Sequence, residues 1–563
     1  MFIQEIIKYI PSHYKKRGVG VAFSVLIQAL LNFVGLAVFV PVLMLLLDSQ
    51  GTDQLRNFFG IIDENTFVVV VCLCVFFIVI VKNVTVALLG SFQIRYVNSL
   101  YCYYSEKLYN GYFQQGLSFI KESNSTSLSY KINSICYTFA QGVISRLYSM
   151  AGDAVLFLLI CSALLVYAPL LALILMLSFV PAGLLYYYIV KRNLERYGKT
   201  GSEFRRKQMR LVSETFTGYV EVCINNAFSL FSSRFNKNLE EISYYREHTD
   251  RVLRVPNGII ECAVVGAMIL MVFLIRKDDS MTFSLGLFAI AALRLLPAVR
   301  NIVAGLAQLK NNFYTIEPVK EVYQFEACRQ KENIDDVKNF HFNDKVVVDN
   351  ISYAFTDKGE ADTVIEDFSM TLHKGEKLGI TGASGIGKTT LFNMLLGFYS
   401  PQKGSITIDG APLDNTNMSS WHNLISYVPQ DVFLMDGTIA ENVAFGFDES
   451  KIDRERLIDA LTQASLLDFV SSLEKGIDTQ IGENGCRLSE GQRQRIGIAR
   501  ALYKQAKVLF LDEATSSLDF RTENDIIDTI RELSQQYSEL TIVMITHRVS
   551  ILNFCNRTIE IVK

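Results

Sequence analysis

The stretch Gly382-Ala383-Ser384-Gly385-Ile386-Gly387-Lys388-Thr389 decides the fold of the second half of this chain. It fits the pattern GxxxxGK[ST], in which a glycine-rich loop joins a strand to a helix. The preceding segment, 377–381, predicts a short buried strand, and apolar residues at 391, 395 and 398 predict one helix face. Backbone N–H groups and the positive end of a helix dipole then meet at one point, which favours phosphate.

The composition points to a membrane protein with more than one domain. Of the 563 residues, 50% are hydrophobic and only 20% are charged, with a mean hydropathy of +0.24. Part of the length is therefore expected to span a membrane. The net charge of −3 and the lack of a basic tail give no indication of nucleic acid as a partner. The ten cysteines lie in apolar or cytoplasmic segments, so we expect no disulfide framework.

The N-terminal segment sets the orientation in the membrane. Residues 1–18 mix apolar side chains with a basic flank, which predicts an interfacial elbow helix. An uncharged run, 19–47, is long enough for a first span. The acidic segment 48–66 has one arginine and no lysine, whereas 191–210 is strongly basic. By the positive-inside rule, 48–66 is expected outside and 191–210 in the cytoplasm.

The hydropathy pattern predicts a polytopic α-helical membrane domain of six transmembrane helices over 19–310. After the first span, further apolar segments occur at 67–89, 154–190, 255–275 and 281–307. The run 154–190 is too long for one helix, and Ala168-Pro169 predicts a tight external turn that splits it in two. Two long cytoplasmic stretches, 91–149 and 191–254, predict helices that continue well beyond the membrane. Residues 311–339 are expected to form a linker and 340–563 a second domain.

Two apolar runs in that second domain end in titratable side chains. The first, 508–511, is followed by Asp512 and Glu513, as expected of a central parallel strand that presents carboxylates at its C-terminal edge. Asp512 would hold a Mg²⁺ shell and Glu513 would polarise an attacking water. The second run, 541–546, ends in His547, which either contacts a γ-phosphate or is structural.

A third motif identifies the family. Leu488-Ser489-Glu490-Gly491-Gln492 precedes an arginine-rich helix, and it lies between Tyr427-Val428-Pro429-Gln430 and the strand ending at Asp512. With the phosphate loop and the segment Ser516-Ser517-Leu518-Asp519, these motifs make residues 340–563 resemble the ATP-binding-cassette (ABC) ATPases. The resemblance implies an α/β P-loop ATPase domain of ABC type, fused here to the membrane helices, with ATP and Mg²⁺ as cofactors.

The resemblance implies a role for each matching residue. Phe355 matches the aromatic residue that stacks on adenine, with Tyr353 as the alternative. Glu513, His547 and Gln430 match the catalytic residues, and Thr389, Gln430 and Asp512 the metal ligands. The implied ATP-binding residues are Phe355, Gly382, Ser384, Gly385, Gly387, Lys388, Thr389, Thr390, Ser489, Gly491, Gln492 and Asp519.

In this family one chain's signature caps the ATP held by the phosphate loop of another. The resemblance therefore implies a half-transporter that acts as a homodimer, although a heterodimer with a relative is also open. Extended helices would transmit cassette closure to the membrane, with a coupling helix near 224–229 and the first cytoplasmic turn near 117–128. One residue departs from the pattern, because Glu490 stands where the family usually has glycine. We expect this acid to slow closure or to lower ATP affinity.

Charges inside the predicted spans are candidates for substrate contacts, because they are costly in a membrane. Arg294 lies well inside the last span and Arg300 lies nearer the cytoplasm, but six residues apart they do not share one helix face. Arg294 either binds an anionic headgroup, or pairs with Glu261, or snorkels. Residues 294–302 weakly resemble the corresponding stretch of bacterial lipid-linked oligosaccharide flippases.

The resulting functional prediction is an ATP-driven exporter or flippase for an amphipathic, lipid-linked substrate. The expected location is a bacterial inner membrane, with the ATPase domain in the cytoplasm and membrane lipid around the helices. A multidrug or lipid exporter is the alternative. An ATP-gated channel or a regulatory subunit is less favoured, because Glu513 and His547 are both present.

Overall fold

The computed structural model describes residues 6, 8–47, 64–190, 194–275, 281–331, 341–357, 360–514 and 520–562. The chain divides into two compact units, Met1–Lys331 and Glu332–Lys563. The described part of the first unit is helical, whereas the second combines strands and helices. This confirms the predicted class, a helical membrane-type domain fused to an α/β domain.

The first unit is built on very long helices. Glu64–Gln114 has 51 residues and Phe228–Ile275 has 48. At 1.5 Å per residue each is longer than about 70 Å, more than twice the thickness of a bilayer core. The predicted continuation of the membrane helices beyond the membrane is therefore confirmed. The α-helices of this unit are Ser12–Ala37, Phe39–Leu47, Glu64–Gln114, Gly116–Glu122, Ser125–Tyr130, Cys136–Phe139, Arg146–Tyr167, Pro169–Val190, Leu194–Thr217, Tyr219–Ile224, Phe228–Ile275, Met281–Asn311 and Ile316–Lys331.

Five helical stretches within the described residues are long and apolar enough to cross a membrane. They are Ser12–Leu43, Asn65–Gln114, Ser125–Tyr167, Phe228–Phe273 and Gly286–Asn311. A shorter apolar stretch, Pro169–Pro181, belongs to the 22-residue helix Pro169–Val190. The chain turns at Ala168, whose φ of −143° is not helical, so the predicted division of 154–190 into two helices is confirmed.

The second cytoplasmic turn differs in detail from the sequence prediction. The short helix there is Tyr219–Ile224, so it ends where the coupling helix was expected to begin. Asn225 leaves the helical conformation and Asn226 has φ of 50°, which ends this helix before Phe228 starts the next one. The first turn carries the short helices Gly116–Glu122 and Ser125–Tyr130, in the region expected for it.

The segment predicted as a linker starts with structured chain. The helix Ile316–Lys331 belongs to the first unit and packs on the helix Glu64–Gln114, where Glu321 accepts a hydrogen bond from Tyr112. Glu321 also forms a 2.8 Å ion pair with Lys131. Residues 332–340 lie outside the described chain. Since Glu321 is fixed by two partners, the connection between the units begins after this helix rather than at residue 311.

The second unit contains two sheets. A four-stranded antiparallel sheet has the order β2-β1-β4-β5, and a five-stranded parallel sheet has the order β6-β7-β8-β3-β9. The strands are β1 Lys345–Asp357, β2 Glu360–His373, β3 Lys377–Thr381, β4 Lys403–Ile408, β5 Ala411–Pro412, β6 Ile425–Val428, β7 Val508–Asp512, β8 Thr541–Ile545 and β9 Arg557–Glu560. Its α-helices are Lys388–Leu395, Met418–Leu424, Ile439–Val443, Arg454–Gln463, Leu467–Ser472, Glu490–Lys504, Phe520–Gln536 and Val549–Leu552.

The parallel sheet positions the site. Every residue of β7 and β8 is buried, which explains why these strands are continuous apolar runs rather than alternating ones. Because β3, β6, β7 and β8 are parallel, their carboxyl ends lie at one edge of the sheet. The residues that follow these four strands are brought together there.

Candidate nucleotide site

The phosphate loop follows β3 and ends at the helix Lys388–Leu395. Gly387 has φ of 111°, and a Cβ on it would lie 2.8 Å from Val364 Cγ1 and 3.0 Å from the Val364 carbonyl oxygen. Gly382 likewise has φ of 143°. Any side chain at Gly387 would be strained and would clash, so the glycine is required by the path of the loop. The loop brings the free N–H groups of the first helical turn to its mouth, as an anion site needs.

Lys388 lies inside this loop. The residue is 7% exposed, and its Nζ donates hydrogen bonds to the carbonyl oxygens of Gly382 (2.8 Å) and Ala383 (3.0 Å). A buried ammonium group requires such partners. The side chain is therefore held across the loop, with its positive charge where a bound phosphate would lie.

Asp512 ends β7 and is 7% exposed. Its Oδ2 accepts hydrogen bonds from the Tyr427 hydroxyl (3.1 Å) and from Thr389 Oγ1 (3.5 Å). Burial raises the pKa of Asp512, and the negative charge of Glu513 adds to this, while the bond from Tyr427 opposes it. Carboxylate and hydroxyl oxygens are the donors that Mg²⁺ prefers, so the predicted ligands Thr389 and Asp512 fit the metal.

The sequence analysis did not identify Tyr427 as a site residue. It precedes the predicted ligand Gln430 by three positions, in β6 next to β7. Pairing of Tyr427 with Phe510 in the sheet register places its hydroxyl beside Asp512. The feature of the sequence that could have identified Tyr427 is a tyrosine in a strand that ends at the same sheet edge as β7.

Glu513 has a backbone conformation that is unusual for its residue type. Its φ is 46°, and its N–H donates to the carbonyl oxygen of Ile545 at 3.0 Å. Left-handed backbone at a residue other than glycine costs about 1 kcal/mol and is concentrated at functional sites. Glu513 Oε1 lies 3.6 Å from Nε2 of His547, which follows β8. The two predicted catalytic side chains are thus neighbours at the sheet edge.

Gln430 follows β6 at the same edge, and its backbone oxygen accepts a hydrogen bond from Gln494 Nε2. Gln494 belongs to the helix Glu490–Lys504, which starts at the signature motif. Gln430, the predicted ligand of the metal ion and of the attacking water, is therefore attached to the signature helix through its backbone.

An aromatic cluster surrounds the residue predicted to stack on adenine. Tyr353 and Phe355 lie two apart in β1, and Tyr399 stacks on Tyr353 with 5.3 Å between ring centroids and 13° between planes. Phe355 meets Tyr399 edge to face at 5.9 Å and is 40% exposed. The more exposed ring, Phe355, keeps a face available for stacking, and Tyr399 is a member of the cluster that the sequence analysis missed.

The signature motif forms a helix N-terminus. Ser489 Oγ accepts the N–H of Gln492 at 3.3 Å, and Gln492 Oε1 accepts the N–H of Ser489 at 2.9 Å, a reciprocal capping box. Glu490 lies in the first helical turn, where an acid is favourable, and pairs with Arg493 at 3.6 Å. Asp519, also predicted for this site, lies outside the described residues.

In the first unit Arg294 does not have the partner considered in the sequence analysis, Glu261. Arg294 Nη2 donates to Asn32 Oδ1 at 2.9 Å, whereas Glu261 pairs with Arg300 at 3.7 Å. The Arg294–Glu261 alternative is therefore wrong, because residues 294 and 300 contact different helices.

Two further charged side chains lie near Arg294. Lys82 and Asp153 both interact electrostatically with it, and Asp153 is hydrogen-bonded to Asn301. Neither Lys82 nor Asp153 was predicted as a substrate residue. Each is a single charge in an apolar run, which is the signal that could have identified them.

A family model described as ABC transporter matches residues 365–516, which include the phosphate loop, Gln430, the signature and Asp512. The second unit of this chain therefore contains an ABC transporter ATPase domain. The long apolar helices of the first unit are those of an integral, multi-pass membrane protein.

Among curated relatives, an ATP-dependent lipid A-core flippase of Bordetella avium is 32% identical to this chain over 407 residues, covering 70% of this chain and 66% of the relative. The protein of the same name from Burkholderia pseudomallei is 30% identical to this chain over 372 residues, covering 65% of this chain and 61% of the relative. The chain thus spans a little less than two thirds of the length of these relatives.

Among solved structures, a bacterial Atm1-family ABC exporter with ATP bound has the same fold. It superimposes with a TM-score of 0.77 at 21% sequence identity, covering 97% of this chain and 93% of the other. The similarity extends over both units, so the fold of this chain is that of an ABC exporter.

Proposed function

We propose that this protein is an ABC exporter, an ATP-driven translocase that works as a homodimer and moves a lipid-linked, amphipathic substrate across the bacterial inner membrane by alternating access. The observation that carries the proposal is the convergence of Lys388, Asp512, Glu513 and His547 at one sheet edge. ATP hydrolysis needs this set of side chains. The same chain also carries helices that are much longer than a membrane is thick.

Each residue has a distinct task at this edge. Lys388 offers its ammonium group to the phosphates, from a position fixed by two loop carbonyls. Thr389 and Asp512 supply oxygen ligands for Mg²⁺. When bound, Mg²⁺ neutralises charge that develops on the phosphates as the bond to the leaving group breaks.

Glu513 orients a water molecule and accepts its proton, from a position at the sheet edge where its backbone has φ of 46°. His547, 3.6 Å away, donates a hydrogen bond to the γ-phosphate side of the site. The exposed face of Phe355 stacks on adenine.

The position of the signature supports the proposed homodimer. By the family pattern, Ser489, Gly491 and Gln492 cap a nucleotide held by Lys388 of the partner subunit. The capping box at Ser489 occupies the N–H groups of Ser489 and Gln492 and holds the first turn of this helix in place, so that the N–H groups of Glu490 and Gly491 would face the γ-phosphate held by the partner subunit. ATP binding then closes the two cassettes, and hydrolysis reopens them.

The substrate class rests on the relatives and on the cluster around Arg294. Both relatives carry the name of an ATP-dependent lipid A-core flippase. In the described part of this chain Arg294 interacts electrostatically with the cation Lys82 and with the carboxylate of Asp153, so two cations and one acid give the cluster an excess of positive charge. An anionic headgroup on a lipid, such as the phosphate or pyrophosphate of a lipid-linked saccharide, would balance it.

Transport by the purified protein in sealed proteoliposomes tests this function. Lipid-linked saccharides, lipid A-type glycolipids, peptides and drugs would be compared, with translocation measured after addition of Mg-ATP. We expect ATP-dependent translocation and stimulated ATPase activity with the acidic glycolipids, and no translocation with the Glu513→Gln variant. Transport of drugs alone would support a multidrug exporter, and ATP-dependent conductance without uphill flux would support a channel.

A further inference from the structure

The helix Glu490–Lys504 contacts the Gln430 loop, residues 430–433, at both of its ends. Near its start, Gln494 Nε2 donates to the backbone oxygen of Gln430. Near its end, Arg500 Nη2 donates to the backbone oxygen of Phe433 at 3.1 Å. The two side chains therefore attach the first and last residues of the loop to a single helix.

Close packing reinforces these two bonds. A Cβ on Gly497 would lie 3.0 Å from Val428 Cγ1 and 3.2 Å from Val432 Cγ2, so the helix backbone rests directly on the chain around the loop. Arg500 is also anchored beyond the loop, since its Nε donates to the Asn442 carbonyl at 3.0 Å and its guanidinium lies 4.6 Å from the Phe445 ring centre. The contact is thus a packed interface with hydrogen bonds at its edges.

Gln494 differs from Arg500 in that its hydrogen bond to the loop is the one side-chain hydrogen bond that it makes among the described residues. The residue is 2% exposed, and its Oε1 has no hydrogen-bond partner among the described residues. A buried amide is costly unless its groups are paired. The bond from its Nε2 is a direct polar contact between the signature helix and the backbone of Gln430, the proposed metal ligand.

The two ends of this connection serve different nucleotides in the proposed homodimer. Gln430 faces the ATP of its own chain, whereas Ser489, one residue before the helix begins, contacts the ATP of the partner. We propose that Gln494 is a positioning residue that couples the two nucleotide sites, because it makes the Gln430 loop move with the signature helix. The inference rests on the proposed function, since only a dimer that encloses ATP between signature and phosphate loop has two sites to couple.

The Gln494→Met variant tests the connection, because methionine keeps the length of the side chain and removes the donor. We expect kcat for ATP to fall about five- to tenfold, as for the loss of one hydrogen bond, with KM within about twofold. The Hill coefficient for ATP should fall to one. In the nucleotide-free protein, hydrogen exchange at residues 430–433 should become about tenfold faster and be unchanged elsewhere.

Two other variants separate positioning from stability. Gln463→Met removes a glutamine of the helix Arg454–Gln463 that bonds Asp459 and Tyr537, and it should alter none of these readouts. Gln494→Glu should be impaired at neutral pH and recover as the pH falls, because a protonated carboxyl group can again donate to the Gln430 oxygen. Wild type measured at each pH provides the reference.

The outcomes distinguish this inference from the proposed function. An active wild type together with an unchanged Hill coefficient and unchanged exchange in Gln494→Met would overturn the coupling alone. Faster exchange throughout the domain would also overturn it, since the role would then be structural. A wild type without ATPase activity would overturn the proposed function and the coupling with it.

Discussion

The sheet edge of the nucleotide-binding domain and the charge cluster around Arg294 place charged side chains in surroundings of low polarity in different ways. At the sheet edge, Lys388, Asp512 and Glu513 come from short motifs whose strands have a fixed register. In the cluster, Arg294 is paired with Asn32, 262 residues away in the chain. Local sequence therefore specifies the first site almost completely, whereas the second depends on how the helices are rotated against each other.

The largest expected effect tests the sheet edge. Replacing Glu513 by glutamine removes the group that accepts a proton from water, so kcat for ATP should fall by about 10²- to 10⁴-fold. Nucleotide binding should be retained, because Lys388 and the phosphate loop are unchanged. Steady-state ATPase assays and binding of a fluorescent ATP analogue measure the two quantities.

The matched control for Glu513 is Glu539→Gln, which removes an exposed acid of the same domain that pairs with Lys374 at 2.9 Å. Its kcat should stay near the wild-type value. Equal losses in both variants would show that the sheet edge has no special role for Glu513.

The next effect tests the Arg294 cluster. In Arg294→Ala the concentration of acidic glycolipid that half-stimulates ATPase activity should rise at least about tenfold, because charge-assisted hydrogen bonds contribute that much to binding. Basal activity should be intact. Arg251→Ala, which removes an exposed arginine paired with Glu247, serves as the control. Unchanged stimulation in Arg294→Ala would mean that the cluster is structural, unlike the sheet edge.

The third effect concerns Tyr427, which the sheet register brings to Asp512. Burial raises the pKa of Asp512, and the bond from Tyr427 counteracts this. Since the metal needs the ionised carboxylate, activity should be lost as the pH falls through this raised pKa. Tyr427→Phe should raise the pKa further and move the acid limb of the ATPase pH profile to higher pH.

The control for Tyr427 is Tyr503→Phe, at a tyrosine of the same domain whose oxygen accepts the N–H of Asp453. Its acid limb should coincide with that of wild type. A shift towards lower pH in Tyr427→Phe would contradict the assignment of the hydroxyl as a donor to the carboxylate.

The smallest effect is expected at Glu490. The sequence predicts that this acid slows closure or lowers ATP affinity, and its pairing with Arg493 along its own helix moderates that effect. Glu490→Gly should raise turnover or apparent ATP affinity by a few-fold, whereas Glu490→Gln separates the charge from the conformational effect of glycine. Kinetics indistinguishable from wild type in both variants would rule the hypothesis out.

Several structural details were outside the reach of the sequence for identifiable reasons. The predicted coupling helix is displaced because Asn225 and Asn226 end the helix at Ile224, and asparagine is compatible with either a helix end or its interior. The predicted linker starts as a helix because Glu321 finds Tyr112 and Lys131 far away in the sequence. Neither partner can be inferred from the local pattern.

By itself, the sequence determined the two-part architecture, the phosphate loop, the strand that ends at Asp512 and the signature helix. These features depend on hydrophobic periodicity, glycine conformation and helix capping, which act over a few residues. Only the tertiary structure decided that Tyr427 donates to Asp512, that Gln494 bonds the Gln430 backbone, and that Arg294 pairs with Asn32 rather than Glu261. Those contacts depend on which faces of strands and helices meet, and that is set by packing of the whole chain.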